Sequence, residues 1–146
     1  MVRLDKTNQM IFCVDIDGVL TDGKIWVTKD GDISKGFNSR DLTAIRELIA
    51  NGHEVHIVTA SSWPGAESYL KKSGAELHIL RNKEEIPFYY DVAIGDSAWD
   101  IPMLRKAKFM FCPKDAQSEV RFIKDINILT VKGGEGVMCE IVNIFI

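Results

Sequence analysis

Residues 12–23 read FCVDIDGVLTDG, and this stretch decides the fold of the chain. It begins as an apolar run typical of a buried strand and ends in two aspartates, Asp15 and Asp17, one residue apart. Two carboxylates at the end of a buried strand repel each other and are costly to remove from water. A bound divalent cation relieves both penalties, and Mg²⁺ prefers oxygen ligands. The following Gly18 allows a tight turn or a close approach of the backbone to a ligand.

The composition is that of an ordinary globular protein, with 46% hydrophobic and 27% charged residues. A length of 146 residues predicts one domain, residues 1–146, with a core of its own. The net charge of −3 gives no sign of nucleic-acid binding, and no apolar run is long enough to span a membrane. Arg3, Asp5 and Lys6 precede any apolar run, so we expect no signal peptide.

Neither the cysteines nor the histidines show the spacing of a metal-ligand set. The cysteines are Cys13, Cys112 and Cys139. The histidines are His53, His56 and His78. Because the cysteines are scattered, odd in number and partly within strand-like runs, we expect buried free thiols and a reducing, cytoplasmic location. The histidines are expected to be structural.

Strand-like and helix-like patterns alternate along the chain. Most of the strand-like runs are continuously apolar, which is typical of a parallel sheet covered on both faces. Strands are predicted at about 10–15, 55–59, 77–80, 91–94, 109–112 and 128–131. Helices are predicted from Asp41, as N-cap, to 51–52, after Pro64, after Asp96, at 115–123 and at 137–144. The predicted fold class is therefore α/β, a doubly wound, mainly parallel sheet with helices on both faces.

A β-hairpin interrupts the connection between the first strand and the first helix. Residues 24–28 and 33–37 are strand-like and flank a turn that contains Asp30 and Gly31. We expect this hairpin, residues 24–37, to project over the carboxyl end of the first strand as a flap. No cap domain is predicted, and the chain ends in a loop and helix at about 132–146.

Polar side chains end three of the predicted strands. Asp15 and Asp17 follow the first strand, Thr59 ends the second, and Asp96 follows the fourth. In open α/β sheets, ligands bind beyond the carboxyl ends of the strands. We therefore expect these side chains to meet at one edge of the sheet, although they are distant in sequence.

Several motifs resemble those of the haloacid dehalogenase superfamily of phosphotransferases. Residues 12–23, 55–59 and 92–104 are similar to its first, second and fourth motifs. Residues 35–41 and 133–137 resemble the capless branch, which contains the phosphatases of 3-deoxy-D-manno-octulosonate (KDO) 8-phosphate and of keto-nonulosonate (KDN or sialic acid) 9-phosphate. The resemblance implies a magnesium-dependent phosphatase that forms homotetramers. In such tetramers a neighbouring subunit closes each active site in place of a cap.

The aspartates take different roles under this resemblance. Asp15 is the nucleophile that forms an aspartyl-phosphate. Asp17 protonates the leaving oxygen and later deprotonates the attacking water, so its backbone carbonyl rather than its side chain is the expected metal ligand. Asp96 is the third expected metal ligand beside Asp15 and Asp17. Asp100, one helical turn on, supports the metal site without binding the ion.

The phosphate is expected to lie against the loop that follows the second strand. The Thr59 hydroxyl and the backbone N–H groups of Ala60 and Ser61 are the predicted phosphate donors. Relatives carry a charged residue that touches substrate at the position of Ser61. A hydroxyl that caps the next turn is the structural alternative for Thr59.

A lysine is expected to neutralise the phosphate and Asp15. Lys83 is the first candidate, and Arg81 is the alternative. Lys83 could instead be a solvated surface residue. Lys35 on the flap is predicted to reach the phosphate or a carboxylate of the substrate, with an ordinary hairpin charge as the alternative.

These residues predict a magnesium-dependent phosphomonoesterase that acts on a small phosphorylated metabolite, with a sugar acid phosphate favoured. The alternative is a non-catalytic domain kept for oligomerisation or regulation beside sugar-nucleotide synthesis. A phospho-receiver domain is disfavoured, because receivers carry their phospho-acceptor on the third strand. Partners other than the substrate and further copies of the chain are not expected.

Overall fold

The computed structural model describes residues 9–146, so the prediction made from Arg3, Asp5 and Lys6 lies outside the described residues. The strands are β1 (Ile11–Asp15), β2 (Trp26–Val27), β3 (Ile33–Ser34), β4 (Glu54–Thr59), β5 (Glu76–Ile79), β6 (Val92–Ile94), β7 (Phe109–Cys112) and β8 (Asn127–Ile128). The α-helices are α1 (Ser39–Ala50), α2 (Pro64–Lys71), α3 (Ile101–Lys106), α4 (Ser118–Arg121) and α5 (Val137–Phe145). Short 3₁₀ turns span Lys83–Glu85 and Ala98–Asp100. None of the described helices has the length and apolar character needed to cross a bilayer.

Six parallel strands form the central sheet in the order β5-β4-β1-β6-β7-β8. Phe12 and Val14 of β1 pack into the core on the α1 and α5 side of the sheet. Cys13 packs into the core on the α3 and α4 side. Both faces of the strand are buried, which explains its uninterrupted apolar sequence. The predicted α/β fold class is confirmed.

The hairpin of β2 and β3 joins β1 to α1. The two strands pair antiparallel, and Gly31 lies in the turn with φ of 86°. A positive φ favours glycine, which explains the turn signal in the sequence. The hairpin is solvent-exposed at Ile25, Trp26, Val27 and Ile33. In the part of the chain that the structure describes, it is the one element inserted between β1 and α1.

The prediction that Asp41 is the N-cap of α1 is wrong. Asn38 is the N-cap, and its side chain accepts a hydrogen bond from the backbone N–H of Arg40. Asp41 lies in the first turn and is buried, and its Oδ1 accepts a bond from the backbone N–H of Met138 at 3.0 Å. Helix α5 begins after Gly136, which has no side chain to cap it. Asp41 therefore satisfies the N-terminus of α5, a contact 97 positions away in sequence.

The helix predicted at 115–123 and the strand predicted at 128–131 are both shorter in the structure. Only Ser118–Arg121 is helical, and β8 is limited to Asn127–Ile128. The Asp115 carboxylate, which the pattern favours as a helix start, instead accepts a hydrogen bond from the Gly133 N–H. This contact between distant loops replaces the local capping bond.

We expect Asp41→Asn to remove a pH-dependent cost of folding. Burial raises the pKa of Asp41 to about 6, and the Met138 N–H bond opposes this rise. Because the pKa is higher in the folded state, the group favours folding at low pH, and this contribution is lost as the pH rises through about 6. A shift of this size corresponds to at most about 3 kcal/mol.

Urea denaturation between about pH 4 and pH 8 measures this effect, since the range brackets the raised pKa of Asp41. The Asp41→Asn variant should gain stability relative to the parent as the pH rises. Asp30→Asn is the matched control, because Asp30 lies on the exposed hairpin turn. A stability difference that does not change with pH would show that the buried Asp41 carboxyl does not titrate in this way.

Candidate active site

The site lies at the carboxyl ends of the three neighbouring strands β4, β1 and β6. Asp15 is the last residue of β1, Thr59 is the last residue of β4, and Asp96 is the second residue after β6. Because the strands are parallel, their carboxyl ends share one edge of the sheet. The structure therefore brings together side chains that lie 44 and 81 positions from Asp15 along the chain.

Three carboxylates form a compact cluster at this edge. Oxygen atoms of Asp15, Asp96 and Asp100 lie within 4.8 Å of one another. Asp100 is fully buried, and its Oδ2 accepts bonds from the backbone N–H groups of Asp96 and Ser97. These bonds hold the loop after β6 in place and leave the other carboxylates of the cluster facing the cavity. An all-oxygen donor set of this kind fits Mg²⁺.

Burial and mutual repulsion perturb the acids of this cluster. Burial raises the pKa of Asp15 well above its usual range, and the neighbouring Asp100 raises it further. Burial and Asp100 likewise raise the pKa of Asp96 to about 7. Carboxylates that are buried beside another negative charge are stabilised by binding either a proton or a cation. The cluster therefore fits a divalent cation, which would offset the cost of burial and the repulsion by Asp100 that together raise both pKa values.

Lys83 is buried beside the cluster. Its Nζ donates to Asp15 Oδ1 at 2.6 Å and also to Asp100 Oδ1. Burial alone would lower the pKa of Lys83, but the Asp15 and Asp100 carboxylates outweigh it and raise the pKa. Asn82 caps the 3₁₀ turn that begins at Lys83. Arg81 is exposed at the rim of the same cavity, so Lys83, and not Arg81, contacts Asp15.

Asp17 directs its carboxylate away from this cluster and toward the flap. Its oxygens accept hydrogen bonds from Lys35 Nζ at 2.7 and 2.9 Å, and from the Thr21 hydroxyl at 3.3 Å. Lys35 Nζ also lies 3.9 Å from the ring centroid of Trp63, a cation–π contact. The Lys35 side chain is only 4% exposed. The flap is therefore joined to the site by an ion pair that the sequence did not predict, in which the lysine is shielded and the Asp17 side chain is 40% exposed.

Thr59 and the loop after β4 line the same cavity as the carboxylate cluster. Thr59 is buried, and its Oγ1 accepts a bond from the Ser61 N–H at 3.3 Å. The capping role considered as the alternative for Thr59 is thus present in the structure. Ala60 and Ser61 are exposed and line the same cavity. Their roles in phosphate binding stay predictions.

Two glycines permit close approaches behind the site. Gly18 has φ of 85°, and a Cβ at this position would overlap the Asp96 carboxylate. A Cβ at Gly133 would overlap the backbone carbonyl of Gly18. The loop before α5 therefore packs directly on the turn that carries Asp17. The close approach expected at Gly18 is made to a candidate metal ligand.

A cavity of about 320 Å³ opens at this edge of the sheet. It is lined by Asp15, Asp17, Gly23, Thr59, Ala60, Ser61, Arg81, Lys83, Asp96, Ser97, Trp99 and Asp100. Lys35 instead lines an adjoining cavity of about 430 Å³ with Trp63 and Tyr69. The sequence motifs did not identify Ser97 as a site residue, because a serine after Gly95 and Asp96 has no spacing or composition that marks a function. Trp99, 80% exposed, lies at the mouth of the cavity.

Comparison with known proteins gives relatives of consistent function. No protein-family model matches the chain. The 3-deoxy-D-manno-octulosonate 8-phosphate phosphatase of Haemophilus influenzae is 27% identical over 138 residues, which cover 86% of this chain and 76% of that protein. The cobalt-bound structure of this phosphatase has 26% identity and a TM-score of 0.85, covering 96% of this chain and 88% of that one.

Other solved structures share the fold at lower identity. The 3-deoxy-D-manno-octulosonate 8-phosphate phosphatase of Moraxella catarrhalis, in complex with a magnesium ion, a phosphate ion and KDO, matches with a TM-score of 0.83 at 24% identity. This match covers 96% of this chain and 87% of that one. A haloacid dehalogenase family hydrolase of Streptomyces avermitilis matches with a TM-score of 0.84 at 21% identity, covering 97% and 93% of the two chains.

Proposed function

We propose that this chain, a phosphatase of the haloacid dehalogenase superfamily, is a magnesium-dependent phosphomonoesterase that acts on a sugar acid phosphate. The substrate class comprises KDO 8-phosphate and KDN or sialic acid 9-phosphate. Relatives that are named for KDO 8-phosphate support this class. The magnesium and KDO bound in the Moraxella structure support both the ion and the substrate class.

One observation carries the proposal: Lys83 bridges Asp15 and Asp100 at the bottom of an open cavity, beside the third carboxylate of Asp96. A structural ion pair would not need an excess of acids over bases at a solvent-accessible edge. Carboxylates, a lysine and hydroxyl or amide donors around one cavity are the parts that phosphoryl transfer requires. The non-catalytic alternative gives no reason to keep them together.

In the first half-reaction, an oxygen of Asp15 attacks phosphorus and the bond from phosphorus to the sugar oxygen breaks. The Asp17 carboxyl donates its proton to that leaving oxygen, so the sugar departs as a neutral alcohol. The product on the protein is an aspartyl-phosphate at Asp15. Lys83 holds the attacking oxygen in position and offsets negative charge on the transferred group.

In the second half-reaction, Asp17 takes a proton from water as the water oxygen attacks the aspartyl-phosphate. Inorganic phosphate leaves and Asp15 is restored as a carboxylate. Asp15, Asp96 and the backbone carbonyl of Asp17 would hold Mg²⁺, with Asp100 orienting them. The bound ion would neutralise charge shared by the nucleophile and the phosphoryl oxygens. Thr59, Ala60 and Ser61 would donate to those oxygens.

The contact between Lys35 and Asp17 gives the flap a role in this cycle. Lys35 and the transferable proton compete for the same Asp17 oxygens, so Lys35 must move before Asp17 can act as an acid. An anionic substrate offers Lys35 another partner in its phosphate or carboxylate. Binding of the correct substrate would thus release Asp17 at the moment when it is needed.

A substrate panel tests the proposed function directly. Phosphate release is measured with and without Mg²⁺ on KDO 8-phosphate, sialic acid 9-phosphate, simple hexose phosphates and para-nitrophenyl phosphate. We expect turnover that needs Mg²⁺ and a kcat/KM at least tenfold higher for the keto-sugar acids than for the hexose phosphates. Equal rates on all substrates would refute the substrate class. No turnover on any of them would favour the non-catalytic alternative.

We also propose that the chain works as a homotetramer in the cytoplasm. The flap exposes Ile25, Trp26 and Val27 by 49%, 70% and 61%, an apolar surface beside the cavity that contains Lys35. A second copy of the chain would cover this surface and close the substrate entrance. The free cysteines, with Cys13 and Cys112 buried, suit a reducing compartment.

Sedimentation velocity measures the size of the assembly and so tests the proposed tetramer. The parent chain is expected to sediment as a tetramer, and Trp26→Ser is expected to shift it to smaller species without loss of secondary structure. Phe122→Ser is the matched control, because Phe122 is 84% exposed and follows α4, outside the flap and the lining of the cavity. A monomeric parent chain at micromolar concentration would contradict the proposed assembly.

A further inference from the structure

A second group of metal-ligating side chains lies away from the active site, on β4 and the edge strand β5. His56 pairs with Glu76, and Val58 pairs with His78, in the register of these parallel strands. Alternate residues of a strand share one face, so His56, Glu76 and His78 point to the same side of the sheet. Sequence spacing could not indicate the group, because His56 and His78 are 22 positions apart.

Three ligand atoms converge in this group. Nδ1 of His56 lies 2.9 Å from Nε2 of His78 and 3.4 Å from a carboxylate oxygen of Glu76. All three atoms lie within 4.8 Å of one another. Ligand atoms in a tetrahedral site with metal–nitrogen bonds of about 2.0 Å are separated by roughly 3.3 Å, so the two rings need to part by only a few tenths of an ångström.

The surroundings orient His56 as a ligand. Its other ring nitrogen, Nε2, lies 3.2 Å from a carboxylate oxygen of Glu54. The tautomer that donates from Nε2 to Glu54 leaves the lone pair of Nδ1 facing His78 and Glu76. A carboxylate that fixes the far nitrogen in this way is a regular feature of metal-bound histidines. Phe88 stacks on the His56 ring, with centroids 4.2 Å apart, and holds it from behind.

The group is accessible to an ion from solvent. His56 is buried, His78 is half-buried, and the side chain of Glu76 is 68% exposed. When the ring proton of His78 moves from Nε2 to Nδ1, the lone pair of Nε2 becomes free to bind the metal. This change of tautomer does not alter the charge of the ring. Two imidazoles and one carboxylate leave a fourth position open to water.

We propose that His56, His78 and Glu76 form a binding site for a divalent transition metal of the zinc type, separate from the magnesium site. Nitrogen ligands select borderline metals such as Zn²⁺ over Mg²⁺, which prefers oxygen. The bound ion joins edge strand β5 to β4. It binds at the amino half of β4, whereas Thr59 lies at the carboxyl end of that strand.

Cobalt is the probe, because Co²⁺ absorbs strongly in visible light in four-coordinate nitrogen–oxygen sites and weakly in six-coordinate oxygen sites. Untagged chain is freed of metal with a chelator, saturated with Mg²⁺ to fill the active site, and titrated with Co²⁺. We expect an intense visible band that saturates at one equivalent and is displaced by Zn²⁺. A spectrum limited to the weak six-coordinate form would overturn the proposal.

Co²⁺ binding by substituted chains identifies the side chains that bind the ion. Glu76→Gln and His78→Gln should each weaken Co²⁺ binding about 100-fold or more, and Glu54→Gln about tenfold, as expected for an orienting partner. Glu47→Gln, an exposed glutamate on α1, should bind like the parent chain. Asp96→Asn, which alters the magnesium site, should keep the intense band.

Because the Glu76 side chain is exposed, Glu76→Gln should fold normally even if His78→Gln does not. Circular dichroism checks the fold of both variants. An intense band that survives unchanged in both Glu76→Gln and His78→Gln would overturn the assignment of these ligands. Loss of the band in Asp96→Asn would place the cobalt at the active site and would also overturn it. Neither result would bear on phosphatase activity, so the two proposals fail separately.

Discussion

Asp15→Asn is expected to lower kcat by roughly 10⁴-fold or more, the order of magnitude that follows loss of a covalent nucleophile. An amide oxygen is a far weaker nucleophile than a carboxylate. Among residues 9–146, Asp100 is the other carboxylate that Lys83 contacts, and it is buried. Acid-quenched parent chain should carry a phosphoryl group on Asp15 during turnover, and the variant should carry none. Steady-state phosphate release and mass spectrometry measure the two effects.

Stability provides a second readout for Asp15→Asn. Burial and the neighbouring Asp100 raise the pKa of Asp15, so its charged form is costly when no metal is bound. The neutral amide relieves this repulsion while Asp100 still pairs with Lys83, so the variant should be at least as stable as the parent chain in chelator. Added Mg²⁺ should then stabilise the variant less than the parent. A general loss of fold would instead lower stability under both conditions.

Asp22→Asn is the matched control for Asp15→Asn. Asp22 belongs to the same motif, but it is exposed, and its carboxylate accepts a bond from the Lys24 N–H. Its activity should stay within about twofold of the parent, as expected for a surface substitution. Activity of Asp15→Asn within tenfold of the parent would show that another group attacks phosphorus.

Lys83→Met is expected to lose activity about 10²- to 10³-fold, as for removal of one preorganised charge from a reacting centre, and also to destabilise the fold. The pKa of Lys83 is raised in the folded chain, because Asp15 and Asp100 outweigh the effect of burial. The stabilising contribution of such a lysine is fully present at every pH below its ordinary pKa, and so at neutral pH. Removing one partner of a buried pair costs about 3 to 5 kcal/mol.

The loss of stability in Lys83→Met should depend on pH and metal. Without the ammonium, Asp15, whose pKa is raised chiefly by burial, can be neutralised by a proton, so the loss should shrink as the pH falls. Saturating Mg²⁺ should restore part of the stability, since a cation replaces the missing charge, but not the activity. Chemical denaturation at two pH values, with and without Mg²⁺, measures these differences.

Arg81→Met tests whether Lys83 or Arg81 is the cation that neutralises the phosphate and Asp15. Arg81 is exposed at the rim of the cavity, so its loss should change stability by less than about 0.5 kcal/mol. Its effect on kcat should be smaller than that of Lys83→Met. A larger loss of kcat in Arg81→Met than in Lys83→Met would reverse the assignment, since the segment between β5 and β6 would then present Arg81 to the phosphate.

The sheet could be predicted because its determinants are local. The central strands are mainly apolar runs that end in, or lead into, a polar residue, as at Asp15 and Thr59, and this pattern needs no distant information. The errors arose where a distant contact replaced a local one. Asp41 looks like a helix cap but serves the N-terminus of α5, and Asp115 looks like a helix start but binds the Gly133 N–H.

The sequence by itself determined the parallel α/β fold and named the acids at the strand ends, since strand direction alone sends Asp15, Thr59 and Asp96 to one edge. Only the tertiary structure decided between Lys83 and Arg81 as the partner of Asp15, and only it paired Lys35 with Asp17. Strand register likewise brought His56 to His78. Such pairs depend on how strands and loops pack in three dimensions, and a linear pattern carries no signal for contacts between residues so far apart along the chain.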